Sequence, residues 1–276
     1  MDTFESTAGV VYTTPEVFGT FEKPIILVSR RLSPYYINCR NIPSYPDKQD
    51  VIISNFVNIL GDADLPDDYK ITTTEAAGIL FAAPVGDRLK RPVSYVKKKA
   101  KGYGLGKLIE GDMGEGDYVV GVDDLVTTAI SAMRTVNAVR TVNATIGEYF
   151  TIFDRNEGGR EDLEKKDVEL LPLVWMGERF VEFGKKGKHL NPEQVALLND
   201  YVPDPLAWSG NYLREHPDFV KEKMQGSVTD GQLKETAILE VLKKAHPELM
   251  EEYKSRLMDW AGELGVQGEV ETFISE

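Results

Sequence analysis

The sequence predicts an α/β protein in which a parallel sheet is flanked by helices and followed by a helical extension. Between residues 23 and 174, short apolar segments alternate with amphipathic helical segments, which is the pattern of strands and helices in a parallel sheet. After about Val174 only helical periodicity continues. A length of 276 residues suits one α/β core with an added subdomain.

The predicted elements follow the order that such a sheet requires. Strands are expected at "KPIILV", "PYYI", "YKITTTE", "PVSYV", "YVVGV", "TIGEYFTIF" and "VELLPLV". Helices are expected at "PDKQDVIISNFVNILGD", "AAGILFAAPVGDRL" and "AISAMRTVNAVRTVNA". The extension has two apolar helical faces, formed by Leu233, Ala237, Val241 and Ala245 and by Leu249, Tyr253, Leu257 and Trp260.

Composition excludes several classes of function. The net charge of −13 argues against binding to nucleic acid. One cysteine, Cys39, and three histidines argue against a disulfide framework and against a cysteine- or histidine-rich metal site. There is no apolar run of membrane-spanning length and no signal-like start, so we expect a cytoplasmic protein without a membrane partner.

One segment is positively charged, although the chain as a whole is negatively charged. Residues 88–107, "RLKRPVSYVKKKAKGYGLGK", carry eight Lys or Arg residues and neither Asp nor Glu. A local reversal of this kind suggests a place where an anion is held. The alternative is a solvated lysine-rich loop, which composition alone would favour.

A pair of acids follows the apolar strand "YVVGV". Asp123 and Asp124 are expected at the carboxyl end of this strand, where open parallel sheets bind ligands. The next helix is expected to begin near Thr128 or Ala129, and its first N–H groups can bind a phosphate. Hydroxyl donors near this helix start are Thr127, Thr128 and Ser131. The acids would repel phosphate, so they must meet sugar hydroxyls, a cationic transition state or a metal.

Sugar and phosphate together suggest a ribose phosphate as the ligand of this stretch. The alternative is that Asp123 and Asp124 only cap a helix, with the threonines filling a turn. We favour the site, because the strand before, the helix after and the spacing between them all fit.

The stretch "YVVGVDDLVTTAIS" resembles the phosphoribosyl-diphosphate (PRPP) motif of type I phosphoribosyltransferases, and three more stretches narrow the resemblance to orotate phosphoribosyltransferases. "YVKKKAKGYGLGKLIEG" resembles their mobile catalytic loop, "FDRNEGGREDLEKKDVELLPL" their D-R-x-x-G-G segment, and "LVSRRLSPYYIN" the N-terminal hood over the base. The resemblance spans about residues 8–175. It implies a type I phosphoribosyltransferase-like sheet, with a small hood over residues 1–40, a PRPP-binding core over 41–175 and a helical extension of unknown role over 176–276.

The resemblance also implies roles for individual residues. Catalytic roles are expected for Asp123, Asp124, Lys98 and Lys101. PRPP binding is expected from these four and from Lys97, Tyr103, Thr127, Thr128, Ala129 and Ser131. Orotate binding is expected from Thr127, Arg155, Tyr36 and Ile37. The chain departs from the family pattern at Arg30, Ile37, Lys97, Lys99 and Ala129, and "TTTEAAG" lacks the lysine that bacterial members carry in this turn.

The reaction implied is the conversion of orotate and PRPP to orotidine 5′-phosphate and diphosphate. Mg²⁺ is expected to be carried by PRPP rather than by direct protein ligands, and a homodimer with shared active sites is expected. The residue types suit this reaction. The carboxylates of Asp123 and Asp124 can stabilise an oxocarbenium-like transition state, and the loop lysines can stabilise the departing diphosphate. Arg155 can bind the orotate carboxylate. Two alternatives stay open: a type I enzyme for another base, and a non-catalytic PRPP- or nucleotide-sensing protein on the same fold.

Overall fold

The chain forms two units in the computed structural model, which describes residues 2–99, 108–230 and 232–276. The first unit comprises Met1–Gly19 and Tyr36–Ala196, and the second comprises Thr20–Tyr35 and Leu197–Glu276.

The first unit is built on a sheet of six strands among the described residues, in the order β5-β4-β3-β6-β7-β8. These strands are β3 (Lys70–Thr74), β4 (Val93–Val96), β5 (Ile109–Glu110), β6 (Tyr118–Val126), β7 (Thr145–Asp154) and β8 (Glu169–Trp175). Neighbouring strands run parallel, except that β5 is antiparallel to β4. The predicted α/β fold is confirmed, with a short antiparallel strand added at one edge of the sheet.

Helices flank this sheet. They are α1 (Thr3–Thr13), α2 (Pro46–Asp62), α3 (Ile79–Leu89), α4 (Ile130–Thr141), α5 (Gly159–Glu164), α6 (Glu178–Lys186) and α7 (Pro192–Tyr201), whose end belongs to the second unit. Both α3 and α4 contact β3 and β6. On the α4 side, Val136 and Val139 pack with Val119, Ile146 and Leu170 of the sheet. Within the described ranges, no helix has the length and apolar character needed to cross a membrane.

Helix α1 was not predicted from the sequence. Asp2 caps its N-terminus, because the Asp2 carboxylate accepts a hydrogen bond from the Glu5 N–H at 2.7 Å. Helix α1 packs against α2, and the Asn55 amide of α2 donates a hydrogen bond to the Thr7 hydroxyl of α1 at 2.9 Å. Eight of its eleven residues are small or β-branched, a weak helical signal that tertiary packing overrides.

The second unit combines part of a β-hairpin with a helical array. The hairpin strands are β1 (Phe18–Ile26) and β2 (Leu32–Ile37), and the later elements are α8 (Pro205–Glu215), α9 (Pro217–Gly226), β9 (Val228–Thr229), β10 (Gln232–Leu233), α10 (Ala237–Glu240), α11 (Pro247–Leu264) and α12 (Gln267–Ser275). Leu32 joins the core of this unit with Leu213, Leu242 and Leu257. The prediction of Leu233 on a helix is wrong, because Leu233 pairs with Val228 in the short antiparallel β9–β10 ladder.

The borders expected at residues 40 and 175 differ from this division. Residues 20–35 group with the C-terminal residues, and residues 176–196 group with the sheet. The second difference follows from packing within the first unit, where the Tyr12 ring stacks on the Phe180 ring of α6 with centroids 4.4 Å apart. The roles predicted for the hood and for the extension stay predictions.

Leu32→Ala should destabilise the second unit, because Leu32 is 1% exposed and belongs to its core. Removal of a buried leucine side chain costs about 2 to 5 kcal/mol. Chemical unfolding followed by tryptophan fluorescence can measure the loss, since Trp208 and Trp260 lie in this unit. Val28→Ala is the matched control, because Val28 is 96% exposed in the same hairpin. Equal unfolding midpoints for the two variants would contradict the assignment.

Candidate active site

The acid pair lies inside β6 rather than after it. Strand β6 continues to Val126, and its ladder with β7 pairs Asp123 with Thr151 and Val126 with Asp154. The sequence suggested that the strand ended at Val122, because two carboxylates are poor strand formers. The β6–β7 hydrogen bonds extend the strand past them, so both acids are held by the sheet near its carboxyl edge.

Asp123 points into the protein. Its side chain is 4% exposed, and its Oδ2 accepts a hydrogen bond from the Tyr149 hydroxyl at 2.8 Å. Oδ1 accepts a hydrogen bond from the Asp124 N–H at 2.9 Å. Burial, followed by the charge of Asp124, raises the pKa of Asp123 well above its usual value.

Asp124 is half-buried and is the more accessible of the two acids. Burial raises its pKa, while hydrogen bonding with Asp123 and the positive charge of Arg40 oppose the rise. The pair therefore presents one accessible carboxylate with a second one directly behind it.

The turn after β3 approaches Asp123 closely. A Cβ atom on Gly78 would lie 1.9 Å from Thr73 Oγ1 and 2.5 Å from Asp123 Oδ1, so only glycine fits. The same turn is bound to the end of β4, because Glu75 N–H donates to the Val96 carbonyl at 2.9 Å and the Glu75 carboxylate accepts from Lys98 N–H. The segment that leads into the basic stretch is thus fixed beside the acid pair.

The predicted phosphate loop connects β6 to α4. Helix α4 begins at Ile130, slightly later than expected, and Ala129 precedes it with φ +52°. This left-handed conformation costs an L-residue roughly 1 to 2 kcal/mol, and glycine adopts it freely. Ala129 is 3% exposed, Thr127 and Thr128 are half-buried, and Ser131 is exposed. The start of α4, with its unpaired N–H groups, follows directly on the strand that holds the acids.

Arg155 follows β7 and is joined to the acid strand. Its N–H donates to the Val126 carbonyl at 2.9 Å. Its Nε donates to Glu157 Oε1 at 3.0 Å, and Arg155 and Glu157 are only 2% and 8% exposed. A structural pairing with Glu157 is therefore present, but in the interior rather than in a surface turn. The predicted contact of Arg155 with orotate stays a prediction.

The residues of the predicted catalytic loop are only partly described. Lys101 and Tyr103 lie outside the described residues. Lys97, the residue after β4, is 8% exposed, and its Nζ lies 2.7 Å from Glu110 Oε1 of β5. Lys98 is exposed, with its backbone bound to Glu75. The PRPP roles of all four stay predictions.

The predicted base-lining residues have opposite exposure. Tyr36 is 44% exposed and is the one exposed residue of β2, whereas Ile37 is 3% exposed. A 3₁₀ turn at Cys39–Ser44 follows. Burial, and then the charges of Asp124 and Asp123, raise the pKa of the Cys39 thiol, so this turn lies beside the acid pair. Cys39 is buried and behaves as a small apolar residue.

Two functional candidates, Tyr149 and Arg40, were missed in the sequence. Tyr149 lies in an apolar strand, where a tyrosine cannot be told from a core residue. Arg40 lies just beyond the quoted "LVSRRLSPYYIN" segment, and a motif that extended two residues further would have included it.

No group of three metal-binding side chains from His, Cys, Asp and Glu occurs in the part of the chain that the structure describes.

Comparison with known proteins identifies the relatives of this chain. No protein-family model matches it. It is 32% identical over 192 residues to an orotate phosphoribosyltransferase from Lactobacillus johnsonii, over 69% of this chain and 90% of that protein. Similar bacterial and archaeal proteins match at 30% to 40% identity.

Solved structures agree with this result. The orotate phosphoribosyltransferase from Aeropyrum pernix is 26% identical with a TM-score of 0.55, over 66% of this chain and 99% of that one. A Leishmania donovani UMP synthase is 21% identical with a TM-score of 0.64 and shares the fold over 72% of this chain. The match covers only 42% of that protein.

The six-stranded sheet, the acid pair in β6 and the helix that follows define a type I phosphoribosyltransferase. Within that class, the chain belongs to the orotate phosphoribosyltransferase family. Members of this family are pentosyltransferases.

Gly78→Ala should impair the site. The added Cβ would push the turn away from Thr73 and Asp123, and a displacement of about 1 Å at a catalytic group can cost about 10²-fold in rate. The measurement is kcat/KM for phosphoribosyl transfer, together with the thermal midpoint. Gly61→Ala is the control, because a Cβ there meets nothing within 4 Å. A Gly78→Ala enzyme as active as the control would contradict the close approach.

Proposed function

We propose that this chain transfers the phosphoribosyl group of PRPP to orotate, releasing diphosphate and forming orotidine 5′-phosphate in pyrimidine nucleotide biosynthesis. The proposal is supported by family membership and by the convergence of three elements at one edge of the sheet. These are the acid pair of β6, the start of α4 and the Arg155 segment, which is bonded to Val126. An expected cytoplasmic location accompanies this proposal as a prediction.

In the proposed reaction the accessible carboxylate of Asp124 contacts the ribose hydroxyls. Positive charge develops at C1 as diphosphate leaves, and the negative charge of Asp124, joined by that of Asp123 while Asp123 is ionised, stabilises it. The N–H groups at the start of α4, with the hydroxyls of Thr127 and Thr128, bind the ribose 5-phosphate group. These contacts orient C1 toward the base.

Cations act on the leaving group and on the base. The side chains of Lys98 and Lys101, with Lys97 and Tyr103, neutralise the departing diphosphate and exclude water from it. A fork of N–H donors on Arg155 binds the orotate carboxylate, while Tyr36 covers the ring. Mg²⁺ would be held by the oxygens of PRPP and would neutralise charge on the diphosphate.

Base specificity tests the role of Arg155. Orotate carries a carboxylate and uracil does not, and the loss of charge-assisted hydrogen bonds between Arg155 and the base costs roughly 1 to 3 kcal/mol or more. We expect the unmodified enzyme, assayed spectrophotometrically with PRPP and Mg²⁺, to consume orotate and to use uracil poorly. Arg155→Ala should raise the KM for orotate far more than the KM for PRPP.

Arg160→Ala is the matched control for this experiment. Arg160 lies in the same segment but is half-exposed, and its Nη1 donates to the Leu170 carbonyl at 2.8 Å. Equal use of uracil and orotate would point to a type I enzyme for another base. An unchanged orotate KM in a folded Arg155→Ala enzyme would assign Arg155 to its pairing with Glu157 alone. PRPP binding without turnover of any base would favour a sensing protein.

We further propose a homodimer in which the lysine loop of one subunit serves the site of the other, as the family resemblance implies. Mixing an inactive Lys101→Ala chain with an inactive Asp124→Asn chain should then restore activity, because one of the two shared sites in a mixed dimer has both residues intact. The measurement is turnover after the chains are mixed, with mixed dimers verified by mass. Verified mixed dimers without activity would contradict shared sites.

A further inference from the structure

The carboxylate of Asp123 has a donor on each oxygen. Oδ2 accepts from the Tyr149 hydroxyl at 2.8 Å, and Oδ1 accepts from the Asp124 N–H at 2.9 Å. The approach of Gly78 closes the space beside Oδ1. A carboxylate so enclosed is in a poor position to bind a ligand directly, so its part in the site must be exerted through Asp124 or through its charge.

The position of the Tyr149 ring is set by the neighbouring strand β6. Gly121 of β6 and Tyr149 of β7 are opposite each other in the ladder, directly after a shift in the register. A Cβ atom on Gly121 would lie 2.2 Å from Tyr149 Cδ2, so the ring occupies the space that any other residue at position 121 would fill. Tyr149 is fully buried, and its direction is set by this slot.

The hydroxyl of Tyr149 is part of a buried polar cluster. The hydroxyl oxygens of Thr74 and Thr135 lie 2.6 Å apart, and both interact with the oxygen of Tyr149. Burial and the nearby Asp123 charge raise the pKa of Tyr149 well above its usual value, so the phenol keeps its proton and acts as the donor. The cluster therefore links α4, β3 and β7 to the carboxylate of Asp123.

We propose that Tyr149 is a positioning residue, which holds Asp123 inward so that Asp124 alone contacts the ribose while the Asp123 carboxylate lies directly behind it. The proposal rests on the proposed function. It assigns the contact with the ribose to Asp124 and a purely electrostatic effect to Asp123. Loss of the hydroxyl leaves Oδ2 without its donor in a buried place. The carboxylate then protonates more readily, and its negative charge near C1 is lost.

Tyr149→Phe tests this directly. We expect kcat to fall about tenfold or more, with the PRPP KM changed less than about threefold, because Asp124 still contacts the ribose. The acid limb of the kcat profile should move to higher pH. The titratable groups around Asp123 are Asp124, Tyr149 and Cys39, and the charge of Arg40 acts on Asp124. The strand β3 and its turn contribute the uncharged Thr73 and Gly78.

Tyr118→Phe is the matched control. Its hydroxyl also donates to a carboxylate in the same sheet, that of Glu148, at 2.9 Å and 3.0 Å, but at the opposite end of β6. It should leave kcat and the pH profile unchanged. Asp123→Asn should mainly lower kcat, and Asp124→Asn should also weaken PRPP binding. If Tyr149→Phe matches Tyr118→Phe in kcat and pH profile, Tyr149 only packs the core and the proposal is overturned.

Failure of the proposed function has a separate signature. If the unmodified chain does not consume orotate, a pH titration of the carboxyl groups followed by infrared difference spectroscopy replaces turnover, and Asp123→Asn identifies the band of Asp123. The positioning role then predicts that Tyr149→Phe raises the pH at which Asp123 is half-protonated, relative to Tyr118→Phe. Coincident titration curves for the two variants would overturn the positioning role in that case as well.

Discussion

The buried carboxylate of Asp123 constrains the structure around it. A carboxylate inside a sheet is tolerated only where donors reach its oxygens, since an unpaired buried charge is costly. Tyr149 and the Asp124 N–H supply those donors, Gly121 makes room for the tyrosine ring, and Gly78 lets the β3 turn close over the other side. Three strands of the sheet are thereby arranged around one side chain, and the position of Asp124 follows from it.

The same strand aligns the remaining parts of the candidate site. Strand β6 carries the acids, leads directly into α4 through Ala129, and accepts the Arg155 N–H at Val126. The groups proposed for sugar, phosphate and base are therefore all positioned by one element, with short covalent or hydrogen-bonded links. The left-handed backbone of Ala129 is compatible with this arrangement only because neighbouring structure holds it there.

Much of the fold and of the candidate site could be predicted from the sequence. The features that could not be predicted depend on contacts between distant segments, which leave no local sequence pattern. The strands of the sheet are continuous apolar or β-branched segments, and Asp123–Asp124 stood out because charges rarely follow such a strand. The continuation of β6 to Val126 depends on pairing with β7, which no local pattern records. The same holds for Leu32, whose packing partners lie about two hundred residues away, and for the Arg155–Glu157 pair, whose burial depends on the fold. The Tyr149–Gly121 fit spans two strands, so it becomes visible only with the register.

A chain with a net charge of −13 must still attract two anionic ligands in the proposed reaction. Exposed charges are screened beyond about 8 to 10 Å at physiological salt, so the local charges around the ligand matter more than the sum. Lys97, Lys98 and Lys99 follow directly on the carboxyl end of β4, and the α4 start adds a positive dipole. The acid pair would oppose diphosphate if both carboxylates were exposed. Because Asp123 is 4% exposed and bonded to Tyr149, the ligand of the proposed reaction would meet the carboxylate of Asp124 alone, and an ionised Asp123 would add its charge from behind.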